Sequence, residues 1–179
     1  MNTLVLYYSR TGNNRYLAEH VASHLNADLE AIRPRLGGLL FQILFSFLPF
    51  SPGIRPLTHD VQQYDRLVVC GPVWMGRLIA PLRTALKRYG TQVDEVDFAT
   101  CCGSVDADKD GTFGYEGVFR QVRTLLGDRC RQCAAFPVVL TLPEDKRKDD
   151  EAVMNALLSD ESFGPELQSR LDDFLTRLA

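Results

Sequence analysis

Long hydrophobic runs are missing from this chain of 179 residues. Its most apolar stretch, Leu36 to Phe50, covers 15 residues, short of the ~20 that a membrane-spanning helix needs. A basic surplus is missing too. Twenty Lys and Arg against 23 Asp and Glu leave a formal net charge of −3, which argues against a nucleic-acid binder, because phosphate neutralisation requires a cationic surface. There are no internal repeats, low-complexity tracts or obvious linkers. No GxxxxGK[ST] loop is present, which removes the P-loop nucleotide binders. The stretch from Met1 to Ser9 has no basic n-region and no cleavage site. Together with five cysteines, this gives the expectation of a reducing, cytoplasmic setting.

What is present is ordinary globular material: 45% apolar and 24% charged residues, enough for one self-sufficient domain over residues 1–179. Thr3 to Tyr8 reads as a short buried strand. Asn13 to Leu25 carries Leu17, Ala18, Val21, Ala22 and Leu25 at helical spacing. Further strands are expected at Asp28–Arg33, Arg66–Gly71, Val96–Cys102 and Ala134–Leu142. Further helices are expected at Leu36–Leu48, Ala80–Tyr89, Tyr115–Leu126 and Pro165–Leu178, with Ser51 to Gln63 as a loop. Strands that alternate with helices five times imply an α/β architecture, a doubly wound parallel five-stranded sheet in three layers with strand order 2-1-3-4-5. Its switch point lies between the first and third strands, and ligands bind outside the carboxyl edge there. Three loops are therefore singled out: Ser9–Asn14, Pro72–Leu78 and Gly103–Gly114.

The first loop reads Ser9-Arg10-Thr11-Gly12-Asn13-Asn14 and feeds a helix. Hydroxyls, a glycine and the unpaired N–H groups of a first helical turn suit an anion. The same residues also make a plain helix cap. A receiver domain would need paired acids after the first strand, where Ser9 and Arg10 stand. A small thiol phosphatase would need a cysteine opening that loop, and none is there.

Tyr8-Ser9-Arg10-Thr11-Gly12-Asn13-Asn14 resembles the phosphate loop of the flavodoxin-like family, hydroxyl-x-Thr-Gly-x-Thr, with Asn14 in place of the final Thr. Gly71-Pro72-Val73-Trp74-Met75-Gly76-Arg77 resembles the family's Pro-Val-Trp-x-Gly segment. The resemblance extends over about the first 140 residues. It implies FMN as cofactor, with its phosphate at Ser9, Arg10, Thr11, Gly12, Asn13 and Asn14 and its ring between the other two loops. An isoalloxazine needs an aromatic face and backbone donors and acceptors at its polar edge. Pro72, Val73, Trp74, Met75 and Gly76 are candidates on one side, and Cys102, Gly103 and Ser104 on the other. Phe113 and Tyr115 could cover the outer face or pack the start of a helix. Trp74, the sole tryptophan, could equally be core.

Other patterns carry less. Asp106-Ala107-Asp108-Lys109-Asp110-Gly111 imitates the start of a calcium loop, but position 12 is Gly117 rather than Glu. Cys130-x-x-Cys133 falls at the start of the last strand, while Cys101 and Cys102 close the preceding one. Those are opposite edges of a parallel sheet, so one four-cysteine site is not expected, and the pair reads as buried inert thiols. His20 and His24 stand at i, i+4 with no third ligand and read as a solvated flank. No metal and no acid or base catalyst is assigned.

The expected function is a flavin-dependent oxidoreductase passing electrons between NAD(P)H or a protein donor and a quinone-like or protein acceptor. The alternative is a one-electron carrier that docks on redox partner proteins. Carrier flavodoxins are a strongly acidic family, and a charge of −3 gives little steering field. Leu36 to Phe50 is expected to be the crossover helix between strands 2 and 3. Its apolar residues fill about 240° of a helical wheel, against the ~100° that one buried face requires. The surplus is expected to cover a second copy of the chain, a hydrophobic acceptor or a membrane face, unless Ser51–Gln63 folds back over it.

Overall fold

β-Branched and aliphatic runs form the sheet, and turn residues stop them. β1 (Thr3–Tyr7), β2 (Asp28–Ala31), β3 (Arg66–Cys70), β6 (Glu95–Cys102) and β7 (Cys130–Pro137) make one parallel sheet in the order β2-β1-β3-β6-β7. This is the expected order 2-1-3-4-5; the numbering differs because a small antiparallel pair, β4 (Val73–Trp74) and β5 (Arg77–Leu78), intervenes. The structure is a computed structural model, and it describes residues 1–48, 50–108 and 114–178. Phe113 and the Lys109-Asp110-Gly111 part of the calcium-like run lie outside the described residues.

Both faces of the sheet are covered, as a parallel sheet requires. On one side α1 (Asn13–Leu25) and α6 (Pro165–Thr176) bury Leu17, Val21, Leu167, Leu171 and Phe174 against Val5, Val68 and Phe136. On the other, α3 (Ala80–Tyr89) and α4 (Glu116–Leu126) bury Leu82, Leu86, Val118 and Val122 against Leu4, Leu67 and Phe98. Gly71 is required by packing, since a Cβ there would stand 2.4 Å from Leu82 Cδ1. The last strand starts and stops earlier than its sequence suggests. It ends at Pro137, and Val138–Thr141 continues as a 3₁₀ turn. A one-turn helix, α5 (Asp150–Asn155), is capped by the Asp149 carboxylate and has no expected counterpart.

The segment Leu36–Phe50 departs from expectation. Its helix, α2, spans Leu39–Phe47. It does not serve as the crossover helix over the sheet. Ile54, Val61, Leu57 and Tyr64, from the stretch after it, pack into the core instead, and Leu40, Phe41, Leu44 and Phe47 of α2 stay exposed. The chain entering and leaving α2 is zipped together: Pro34 bridges Ile54, Arg35 N–H donates to Gly53 O at 3.1 Å, and Arg55 N–H donates to Arg33 O at 2.7 Å. Further out, Glu30 accepts from the N–H groups of Thr58 (2.6 Å) and His59 (3.0 Å) and from the His59 ring at 2.7 Å. The excursion from Ala31 to Leu57 is thus tied off at its base.

Candidate functional site

The loops after β1, β3 and β6 all leave the carboxyl edge of the sheet, on either side of the reversal between β1 and β3. The first is shaped by its own side chains. Ser9 Oγ accepts the Gly12 N–H at 3.1 Å, and Gly12 turns the chain with φ +105°, which side-chain-bearing residues rarely adopt. The Gly12 carbonyl accepts from Tyr16 N–H, so α1 starts at Asn13. The N–H groups of Asn13, Asn14 and Arg15 have no intrahelical carbonyl to meet and carry the positive end of the dipole. Ser9 still has its hydroxyl proton to give. Arg10 and Thr11 are exposed beside it.

The two asparagines do something the sequence did not announce. Both are buried. Asn13 donates Nδ2–H to Ala156 O (3.0 Å) and accepts the Leu158 N–H (2.8 Å), pinning the chain after α5 to the start of α1. Asn14 Oδ1 accepts the Cys101 N–H at 2.8 Å, tying α1 to the end of β6. The backbone N–H groups of both stay available to an anion, while the Oδ1 of each serves the scaffold. An amide at either position signals only "polar cap" in a sequence, because its partners lie 87 to 145 residues away.

The second loop is a two-residue hairpin. Trp74 pairs with Arg77, and the intervening Met75 and Gly76 both have positive φ, 50° and 67°, as a type I′ turn demands. Gln121 clips this hairpin to α4: its Nε2–H donates to Gly76 O (3.3 Å) and its Oε1 accepts Leu78 N–H (3.3 Å). Trp74 is half-buried, packs on the core and meets the Tyr8 ring edge to face at 6.4 Å. It is neither wholly core nor free, and it joins the first loop to the second. Burial pushes the Tyr8 hydroxyl up, with the Arg10 charge opposing.

The third loop follows Cys102, whose thiol donates to Ser104 O at 3.4 Å. Ser104 Oγ bonds Asp106, and Tyr115 OH donates to Val105 O. A cleft of about 150 Å³ separates the second and third loops; Val73, Met75, Gly76, Cys102, Gly103, Ser104 and Tyr115 are among its walls. Its volume is below the roughly 300 Å³ of an enclosed ligand pocket. A larger cavity, about 570 Å³, lies beyond the hairpin between α3 and α4 and shares Met75 and Gly76 with it. That cavity holds Arg77, Arg83, Lys87 and Arg120 with no carboxylate in its walls. The small cleft lies at the carboxyl edge of the sheet, between the expected loops after β3 and β6.

No protein-family model and no curated protein matches the chain. Solved structures do. A candidate flavoprotein from Bacteroides eggerthii superposes with a TM-score of 0.58 at 15% identity, over 86% of this chain and 93% of that one. A flavoprotein from Lactobacillus acidophilus in complex with FMN gives 0.52 at 20% identity, over 87% and 97%. The apo form of the flavoprotein from L. acidophilus gives 0.53 at 22%, over 75% and 91%. The fold is flavodoxin-like. Within this flavodoxin-like frame the described parts of the three expected loops leave the same edge of the sheet.

The remaining candidates resolve differently. Among the described residues no group of three or more His, Cys, Asp or Glu could hold a metal ion. His20 stacks on Tyr16 and Phe163, and His24 is exposed. Cys130 and Cys133 are half-buried rather than buried, with sulfurs 3.7 Å apart. Residues i and i+3 of a regular strand face opposite ways. Here β7 bulges: Cys130 pairs with Val96 and Gln132 with Asp97, so the extra residue returns Cys133 to the side of Cys130.

Proposed function

We propose that the protein binds FMN at this edge and passes electrons between NAD(P)H or a protein donor and a quinone-like acceptor. The observation that carries the reading is that a helix N-terminus, a hydroxyl-rich turn and a narrow cleft all lie at the same carboxyl edge of the sheet. Ser9, Thr11 and the N–H groups of Asn13 to Arg15 would hold the phosphate. Trp74, Val73, Tyr115 and the backbone of Cys102 to Ser104 would hold the ring. The flavin supplies the redox chemistry when bound; the chain orients it, excludes water from one edge and sets access through the hairpin.

Calorimetry tests the phosphate half. FMN should bind far more tightly than riboflavin, and Thr11→Ala should weaken FMN binding by about 1–2 kcal/mol, the order of one charge-assisted hydrogen bond. Equal affinity for FMN and riboflavin refutes the placement. Trp74 emission tests the ring half: saturating FMN should quench it strongly, and unchanged emission returns Trp74 to a purely structural role. Anaerobic mixing with NADH or NADPH then separates an oxidoreductase, which is reduced directly, from a carrier, which needs a protein donor.

A further inference from the structure

α2 is inside out. Its polar Ser46 is buried and accepts the Ala80 N–H at 3.1 Å, capping α3, while Leu40, Phe41, Leu44 and Phe47 face away from the protein. With Phe50 just beyond, their exposures run from 47% (Phe47) to 82% (Leu40). An ordinary surface helix does the reverse. The helix is nonetheless firmly held: the Arg83 guanidinium donates to Phe45 O (2.8 Å), Ser46 O (3.4 Å) and Leu48 O (2.7 Å), satisfying the carbonyls that end α2. The exposed apolar face is therefore built, not frayed. The segment Ser51–Gln63, which could have covered it, is occupied in the core.

Charge says what covers it. From Ala31 to His59 there is no Asp or Glu, yet Arg33, Arg35 and Arg55 stand exposed at the zipped base of the excursion. Arg77 lies over the Phe47 ring at 4.7 Å and leads to the cavity with Lys87 and Arg120. An acidic chain thus concentrates cations around one apolar helix. A two-fold dimer through this face would oppose the same arginines from both copies with no carboxylate on the segment to pair them. No helix of the described residues is long and apolar enough to cross a membrane. A nine-residue helix with seven apolar residues, flanked in the chain by arginines, instead matches a helix lying in the lipid headgroup boundary.

We propose that α2 docks this protein onto an anionic lipid surface, its apolar face entering the acyl boundary and the Arg33, Arg35, Arg55 and Arg77 guanidiniums meeting lipid phosphates. The docking needs no flavin, so its test is independent of the FMN assignment. Flotation of the full chain with equimolar phosphatidylcholine–phosphatidylglycerol vesicles should recover bound protein at low salt and progressively less at high salt. Phosphatidylcholine vesicles should recover much less. Leu40→Gln/Phe41→Gln should lose binding to both by at least about tenfold, with an unchanged far-UV spectrum, since both side chains face outward. Arg33→Gln/Arg55→Gln should lose about fivefold per arginine on anionic vesicles only. No flotation with anionic vesicles overturns the proposal. So does a dimer in sedimentation that Leu40→Gln/Phe41→Gln dissolves, or equal flotation of the arginine variant.

Discussion

α1 and α2 follow consecutive strands of the same sheet and obey opposite rules. α1 buries Leu17, Ala18 and Val21 and turns Arg15, Glu19 and His24 outward. α2 buries Ser46 and turns leucines and phenylalanines outward. Composition alone would rank α2 as the better core element. What decides is the neighbour each meets: α1 lies on the sheet face of Val5 and Val68, whereas α2 leans on α3 and the hairpin, and other residues have taken the sheet face behind it. Apolar content predicts burial only where there is an apolar surface left to cover.

The widest gap between the two helices should appear on truncating a leucine. Leu17→Ala empties a fully buried site and should cost about 2–5 kcal/mol. Leu40→Ala should change stability by no more than about 0.5 kcal/mol. Urea midpoints at constant slope measure both. Equal losses would mean that α2 is covered within the monomer and that the two helices do not differ in burial.

A smaller effect belongs to the start of α1. Asn14→Ala leaves the Cys101 N–H without an acceptor in a buried place and should cost about 1–3 kcal/mol. Asn14→Asp keeps an acceptor and should recover part of it, at the cost of burying charge. If Asn14→Ala is neutral, the amide is not the tie between α1 and β6.

The base of the α2 excursion gives a pH signature. Burial pushes the Glu30 carboxyl up, but the N–H groups of Thr58 and His59 and the His59 ring outweigh it and hold the carboxyl below its ordinary value. A depressed folded value means the folded state keeps its proton off longer. The clamp's contribution is complete above the ordinary glutamate range, near pH 4.3, and is lost as pH falls through the lowered value. Glu30→Gln should therefore destabilise by about 1–2 kcal/mol at pH 7, with the deficit shrinking on acidification. A deficit constant from pH 7 to pH 3 would show the contact to be purely steric.

Sequence made the sheet legible because its strands are short apolar runs cut by turns, and parallel order follows from alternation and handedness. Asn13–Leu25 and Ala80–Tyr89 match to the residue, since each has a clean helical stripe and a sharp boundary. The hairpin at Met75–Gly76 stayed hidden because Met is not a φ-positive signal. The inversion of α2 stayed hidden because a wheel shows how residues divide around an axis, not which side meets the protein. The loops of the candidate site could be named from topology before any motif, but the inward use of the Asn13 and Asn14 oxygens depends on partners that only the fold brings near.

Cysteine repeats the lesson on the smallest scale. Cys70 and Cys102 are enclosed, and burial pushes each thiol up to about 12; Cys101 is raised by the same cause. At pH 8 the thiolate fraction of a thiol with a pKa of 12 is on the order of 10⁻⁴, so alkylation waits for unfolding. Cys130, at the β7 bulge, differs. The neighbouring Cys133 thiol and the positive charge of Arg123 together outweigh desolvation and pull Cys130 below its ordinary value, while Cys133 is raised. Iodoacetamide at pH 8 should therefore label Cys130 first, at least about tenfold faster than any of the three enclosed cysteines. Cys133→Ser should slow that reaction, because a hydroxyl reaches the Cys130 sulfur less well across the same gap, and Arg123→Gln should slow it less. Peptide mass spectrometry on the folded chain reads all five sites at once. Uniform labelling would show that the bulge opens as readily as the core, and preferential labelling of Cys133 would reverse the order of the two thiols.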